Sequence, residues 1–158
     1  MSRLIYIFLI SMVPVIELRG AIPYASFIAD PPVPFLLAAF VAVLGNIVPV
    51  PLIMLSIHKL LELFGHTKLV GGFLNGLISR ASKKAEKMGD VGFWALMVFV
   101  GIPLPGTGAW TGAIIAAILD LPKRKAIPAI FLGLIMSASI MGIISYTLPD
   151  LFVAWFVK

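Results

Sequence analysis

Residues 34–57 read PFLLAAFVAVLGNIVPVPLIMLSI, a run of 24 positions without a charged side chain. A helix needs about 20 consecutive apolar residues to cross a bilayer, so this run predicts a transmembrane helix. Asn46, Pro49 and Pro51 interrupt the apolar pattern. Such interruptions are tolerated in a membrane helix where neighbouring helices cover them.

The rest of the chain fits the same environment. Of its 158 residues, 61% are hydrophobic and only 12% are charged, whereas soluble domains are nearer half apolar and a quarter charged. Residues 126–149 form a second uncharged run of 24 positions and predict a second transmembrane helix. The length is that of one domain, so we expect residues 1–158 to form a single membrane domain.

Two further apolar segments are too short to cross on their own. Residues 4–16 are followed by a Gly/Pro-containing break at 17–23, and residues 91–104 by a break at 105–108. Thirteen helical residues reach about 20 Å, against a hydrocarbon core of about 30 Å. We therefore predict two re-entrant helical hairpins. The alternative is one kinked spanning helix per segment.

A weak internal repeat supports this organisation. When the chain is offset by 88 positions, nine of the 41 residues from 17 to 57 fall on identical residues, Gly20 on Gly108 and Gly45 on Gly133 among them. A hairpin keeps the chain on one side of the membrane and the following helix changes it, so the second copy is inverted. The predicted fold is all-α: two inverted repeats (3–57 and 91–149), each a re-entrant hairpin plus one transmembrane helix, joined by a linker (58–90).

Charge gives the predicted orientation. Nine of the 12 lysines and arginines lie in the linker or in the turn before the second spanning helix: Lys59, Lys68, Arg80, Lys83, Lys84, Lys87, Lys123, Arg124 and Lys125. By the positive-inside rule, segments 58–92 and 120–125 are cytoplasmic in a cell membrane, and both termini lie outside. Residues 68–87 predict a basic amphipathic helix, which binds either the inner membrane surface or the protein's own cytoplasmic face.

The sequence gives little indication of a metal, cofactor, thiol or nucleic-acid site. His58, Glu62 and His66 are spaced four apart, as metal ligands on a helix can be, but Gly65 weakens that helix, and polar residues are expected at an interface. We predict no metal site and no cofactor. The chain has no cysteine, which removes thiol chemistry. The basic residues flank hydrophobic segments, so we predict membrane lipids, and not nucleic acid, as partners.

Glu17 and Arg19 are the ionisable residues placed far from any predicted interface. A charge at membrane depth costs at least a few kcal/mol, so it needs a partner or a function. One interpretation is a buried ion pair that only fixes the hairpin tip. The other is that Arg19 faces a substrate, while Glu17 takes up and releases a proton during transport.

The second break offers backbone groups for binding. A helix beginning near Gly108 aims free N–H groups and a positive dipole end into the membrane, and we expect the same at Gly20 to Pro23. Two such ends predict a midplane site for an anionic group; the alternative is a tightly packed turn. The candidate substrate-binding and transport residues are Glu17, Arg19, Gly20, Pro23, Pro103, Pro105, Gly106, Thr107, Gly108, Trp110 and Thr111.

Residues 17–23 (ELRGAIP) and 103–113 (PLPGTGAWTGA) resemble the two motif regions of the putative small multidrug export protein family, which is similar to the wider DedA superfamily. The family name implies drug efflux. The DedA resemblance implies flipping of lipid phosphates such as undecaprenyl phosphate, with an acid and an arginine at the first hairpin matching Glu17 and Arg19. The sequence departs from DedA proteins at the second hairpin, where Thr107 and no arginine follows Pro105-Gly106.

These observations lead to a membrane transporter and not an enzyme. Its expected substrate is an amphipathic anion, most simply a lipid phosphate such as undecaprenyl phosphate. Proton-coupled export of small drugs is the alternative, and a non-transporting membrane organiser is the second alternative. Both histidines lie outside the predicted spans, so no Ser-His site exists at depth. A homodimer that shields the thin hairpins is a further expectation.

Overall fold

The computed structural model describes residues 2–56, 91–104 and 106–147. The described chain is helical, with no strand among these residues. The predicted linker helix, the His58/Glu62/His66 set and Pro105 lie outside the described residues.

In the described residues, each half of the chain contains two short helices and one long helix. The helices of the first half are α1 (Ser2–Met12), α2 (Glu17–Pro23, continued by a π-helical turn, Tyr24–Ile28) and α3 (Phe35–Ser56). Those of the second half are α4 (Val91–Gly101), α5 (Ala109–Ile118) and α6 (Lys123–Thr147, π-helical from Ile143). This order confirms the all-helical prediction.

Helices α3 and α6 are long and apolar enough to cross a membrane, at 22 and 25 residues. Only 39% and 44% of their apolar stretches are buried inside the molecule, and large side chains such as Leu36 and Phe40 are 80% and 63% exposed. Two helices of the predicted kind are therefore present. Helix α6 begins three residues before the uncharged run, because Pro122 caps it at Lys123.

In the first half, α2 folds back along α1. The Tyr6 and Tyr24 ring centroids lie 6.3 Å apart, and a Cβ placed on Gly20 would contact Ile10 Cγ2 at 3.9 Å. The later residue, Tyr24, contacts the earlier part of α1, and Gly20 contacts its later part. The two segments therefore run antiparallel around a turn at residues 13–16.

The second half packs in the same way. A Cβ on Gly112 of α5 would lie 2.6 Å from Val100 Cγ2 of α4, and Ile115 shares a groove with Leu96. Helix α5 therefore runs antiparallel to α4 around a turn at residues 102–108.

The long helices also run antiparallel to each other. Phe35, at the start of α3, packs against Tyr146 near the end of α6, with ring centroids 5.6 Å apart and the rings tilted by 59°. Farther along, Val43 and Phe131 line a common apolar groove. Together with the buried faces of the short helices, these contacts form one apolar core.

One local prediction was wrong. We expected a helix N-terminus at Gly20 to Pro23, but α2 already begins at Glu17, and the first turn lies at residues 13–16. Pro23 does not end the helix: the chain continues as a π-helical turn, in which the Ala29 N–H bonds Tyr24 O at 2.9 Å.

Candidate functional site

The two turns meet inside the molecule. The indole Nε1–H of Trp110, in the first turn of α5, donates to the carbonyl of Met12 at 3.2 Å. Met12 is the last residue of α1, and the final carbonyls of a helix have no partner within the helix itself. Trp110 therefore caps α1 and joins the turn at residues 13–16 to the turn at residues 102–108.

Glu17 is the centre of this contact. The residue is 3% exposed, and its carboxylate accepts hydrogen bonds from the Trp110 N–H at 3.0 Å and the Ala109 N–H at 3.3 Å. These are the first two residues of α5, whose N–H groups have no helical acceptor and carry the positive end of the helix dipole. The Glu17 carboxylate therefore occupies the N-terminal end of α5.

The backbone on both sides is adapted to this contact. Glu17 itself has a φ of 52° and Val15 a φ of 72°, values that residues with a side chain adopt only where surrounding contacts hold them. Gly108, just before α5, has a φ of 135°. A Cβ there would lie 2.8 Å from Glu17 Cδ. Only glycine lets the carboxylate reach the α5 N-terminus.

Arg19 binds the other side of the second turn. Its guanidinium donates to the carbonyls of Leu104 and Thr107 and to Thr107 Oγ1, the last at 2.6 Å. Thr107 Oγ1 in turn lies 2.6 Å from the carbonyl of Ile102 and 2.8 Å from that of Leu104. The Arg19 guanidinium thus supplies charge-assisted hydrogen bonds to the carbonyl oxygens that precede α5.

Glu17 and Arg19 do not form the direct ion pair that one interpretation of the sequence predicts; within the described ranges, each binds backbone groups of the second turn. The Glu17 carboxylate accepts hydrogen bonds from N–H groups, and the Arg19 guanidinium donates hydrogen bonds to carbonyl oxygens. Charges of opposite sign therefore satisfy opposite ends of the local peptide dipoles. These contacts add to the turn's own hydrogen bonds, among them the Thr107 N–H to Leu104 O at 3.1 Å.

The structure brings together five of the eleven candidate residues: Glu17, Arg19, Thr107, Gly108 and Trp110. Five further candidates are described and lie outside this group. Gly20 and Pro23 lie farther along α2, Pro103 and Thr111 flank the second turn, and a Cβ on Gly106 would meet no atom within 4 Å. Pro105 is outside the described residues.

Sequence reasoning missed Asn46. Its side chain is 0% exposed and approaches the Glu17 carboxylate closely enough to interact with it. Yet neither its amide nitrogen nor its amide oxygen has a hydrogen-bond partner among the described residues. The signal in the sequence was an amide in the middle of an otherwise apolar run, which we had interpreted only as an interruption.

The position of Asn46 gives the depth of the site. It is the twelfth of the 22 residues of α3, which places it about 16 Å along the helix axis from Phe35. The neighbouring Gly45 packs against the end of α1, where its Cβ would lie 2.5 Å from Phe8 O. Glu17 therefore lies level with the middle of the helix that is long enough to span.

A protein-family model described as putative small multi-drug export protein matches residues 17–140. The match starts at the site carboxylate and includes α2, α3, both residues that Arg19 contacts, and most of α6. The chain belongs to this family. No curated protein and no solved structure matches it. Membership in an export-protein family and the two apolar helices together indicate a membrane transport protein.

Proposed function

We propose that this export-family protein moves an amphipathic anion, most simply a lipid phosphate such as undecaprenyl phosphate, across the membrane between its two turns. One observation carries the proposal: at the middle of α3, the N-terminus of α5 already binds a carboxylate, that of Glu17. A helix end that stabilises one anion is suited to another. A cationic substrate is disfavoured at this position, because the positive dipole end of α5 and the Arg19 guanidinium repel it.

The architecture supports a transporter built from inverted repeats. Helices α3 and α6 begin 88 residues apart, each directly after a proline cap, Pro34 and Pro122. Gly45 and Gly133, also 88 apart, make equivalent close contacts with the backbone of α1 and α4. We propose that α1–α2 and α4–α5 are re-entrant hairpins that enter the membrane from opposite sides, because α3 and α6 are antiparallel.

Charge assigns the sides in this proposal. Lys123, Arg124 and Lys125 begin α6, and the predicted basic linker follows the end of α3, on the same side as the start of α6. The positive-inside rule makes that side cytoplasmic. The first hairpin then opens to the outside, and the second to the cytoplasm.

In this proposal, transport begins when the anionic headgroup of the substrate competes with the Glu17 carboxylate for the N-terminus of α5. An incoming anionic headgroup takes the Ala109 and Trp110 N–H groups, and the released Glu17 carboxylate withdraws with the first hairpin. Arg19 keeps positive charge beside the headgroup. The apolar tail remains in contact with lipid along the exposed faces of α3 and α6, so that only the headgroup needs a polar path.

The test is a flipping assay in liposomes that contain the purified protein and a fluorescent polyprenyl phosphate. We expect the wild-type protein to accelerate flipping and Arg19→Ala to lose most of that acceleration. Ser139→Ala is the matched control, because the Ser139 hydroxyl is exposed and donates to Ile135 O of its own helix. An Arg19→Ala protein that remains folded and flips as fast as wild type overturns the site.

Drug export stands as the alternative because the family description names it. Glu17 then serves as the proton-exchanging group. Loss of drug resistance in Glu17→Gln cells, together with unchanged lipid flipping, favours this function. Normal movement of both substrates in cells that lack the protein favours a membrane-organising role.

A further inference from the structure

Asn46 is the unexplained group at the site. Among the residues with described side chains, two have buried polar atoms without a hydrogen-bond partner: Asn46, with both amide atoms, and Ser145, with its hydroxyl. A buried amide that makes no hydrogen bond is costly. Of the two residues, only Asn46 lies beside Glu17.

The repeat shows that the α3 position does not require an amide. The residue 88 positions later is Leu134, at the equivalent place in α6, and it is buried at 1% exposure. A leucine at this point therefore packs well between a long helix and the short helices around it. The asparagine is a departure from the apolar pattern, and it is found in the repeat that carries the charged pair.

We propose that the N-terminus of α5 is an anion-binding site that Glu17 fills in this structure, and that Asn46 is the second partner that receives the Glu17 carboxylate when a substrate anion takes its place. This inference rests on the proposed function and adds the residue that makes the exchange reversible. The Asn46 amide Nδ2–H₂ supplies two donors. They replace the Ala109 and Trp110 N–H groups that the carboxylate gives up.

The proposed exchange lowers the number of unpartnered polar atoms at Asn46. With Glu17 on α5, the Asn46 amide lies near the carboxylate but makes no hydrogen bond to any described residue. With a substrate phosphate or carboxylate on α5, the Asn46 Nδ2–H₂ donates to the Glu17 carboxylate, and only the Asn46 Oδ1 remains without a donor. Asn46 thus raises the energy of the substrate-free arrangement and lowers that of the substrate-bound one, which brings the two states closer together. It is a positioning residue, because it acts on the substrate through Glu17.

The test uses Asn46→Leu, which installs the residue of the equivalent position, and Asn46→Ser, which keeps one hydroxyl donor. We expect Asn46→Leu to unfold at the same temperature as wild type or higher, while lipid-phosphate flipping falls at least tenfold. Asn46→Ser is expected to retain more flipping than Asn46→Leu. Ser145→Ala removes the other unpartnered buried group, away from the turns, and is expected to flip at the wild-type rate.

A second measurement does not depend on transport. In a Trp94→Phe, Trp155→Phe background, the emission of Trp110 reports on the α5 N-terminus. We expect dodecyl phosphate, added to protein in a neutral detergent, to change this emission saturably, and Asn46→Leu to need at least tenfold more of it for half the change. Dodecanol is the uncharged control.

The outcomes separate the two proposals. If wild-type protein does not flip the lipid but dodecyl phosphate binds and Asn46→Leu weakens that binding, the lipid substrate is wrong and the exchange stands. If wild-type protein flips the lipid and Asn46→Leu flips and binds equally well, the exchange is wrong. A parallel loss of melting temperature and flipping in Asn46→Leu shows a structural role only, and the absence of any saturable emission change in wild type rules out an anion on α5.

Discussion

The Glu17 carboxylate accepts the Trp110 backbone N–H at 3.0 Å, across 93 positions of sequence. This bond joins the start of α2 to the start of α5, and it therefore couples the two halves of the chain where both are least regular. Any movement that separates the two turns must first break it. The pair is suited to control access to the middle of the molecule.

The first prediction concerns Glu17 and stability. Glu17→Ala leaves the Ala109 and Trp110 N–H groups without an acceptor, and a buried donor left in this way costs about 1–3 kcal/mol. Glu17→Gln keeps one acceptor oxygen and is expected to lose less. The measurement is reversible unfolding in mixed micelles, with Ser139→Ala as the exposed control. Equal stability of Glu17→Ala and wild type contradicts the capping role.

A pair of glycines in the second turn gives the second prediction. Gly106 and Gly108 both have positive φ, 84° and 135°, so a substitution to alanine strains the backbone at either one. Only at Gly108 does the new Cβ also press against the Glu17 carboxylate, 2.8 Å from its Cδ. Gly108→Ala is therefore expected to be the more destabilising variant in the same micelle assay, and the difference between the two variants is expected to shrink in a Glu17→Ala background, where only backbone strain remains.

The third prediction tests the contact between Arg19 and Thr107. Arg19→Lys keeps the charge but loses the fork that reaches two carbonyls and a hydroxyl at once, and Thr107→Val removes the hydroxyl. A double-mutant cycle of the two is expected to give an interaction energy of about 0.5–3 kcal/mol. Thr107→Ser, which keeps the hydroxyl, serves as the control and is expected to stay near wild type. Strictly additive effects contradict a direct contact.

Part of this arrangement could be predicted from the sequence. Two uncharged runs predicted α3 and α6, and the Gly/Pro-rich run ending at Gly108 predicted the start of α5, because apolar length and helix-breaking residues act locally. The importance of Glu17 and Arg19 followed from the cost of burying charge. These inferences need no knowledge of which segments touch.

What could not be predicted depends on tertiary contacts. The first turn lies at residues 13–16, four residues before the expected break, because Glu17 is held on α5 by groups more than 90 positions away. Arg19 was expected to pair with Glu17 or to face a substrate, yet it binds carbonyls of the second turn. Asn46 gained meaning only once Glu17 was placed beside it. Spacing along a sequence does not reveal which partner a buried polar group finds.

The last prediction concerns the close helix crossings of the two halves. A Cβ on Gly45 would lie 2.5 Å from Phe8 O, and one on Gly133 would lie 2.6 Å from Met97 O. Both neighbours are backbone atoms that cannot move without shifting a helix. Gly45→Ala and Gly133→Ala are each expected to destabilise the protein by about 1–3 kcal/mol.

Gly101 is the matched control for both crossings. A Cβ there would meet the flexible end of the Met136 side chain, with Sδ at 3.1 Å, and a thioether can turn aside. Alanine also favours a helix over glycine by about 1 kcal/mol, so Gly101→Ala is expected to be close to neutral. If the two halves are repeats of one unit, the losses at Gly45 and Gly133 agree to about 1 kcal/mol. A large loss at one and none at the other means that the matching glycines do not mark equivalent crossings.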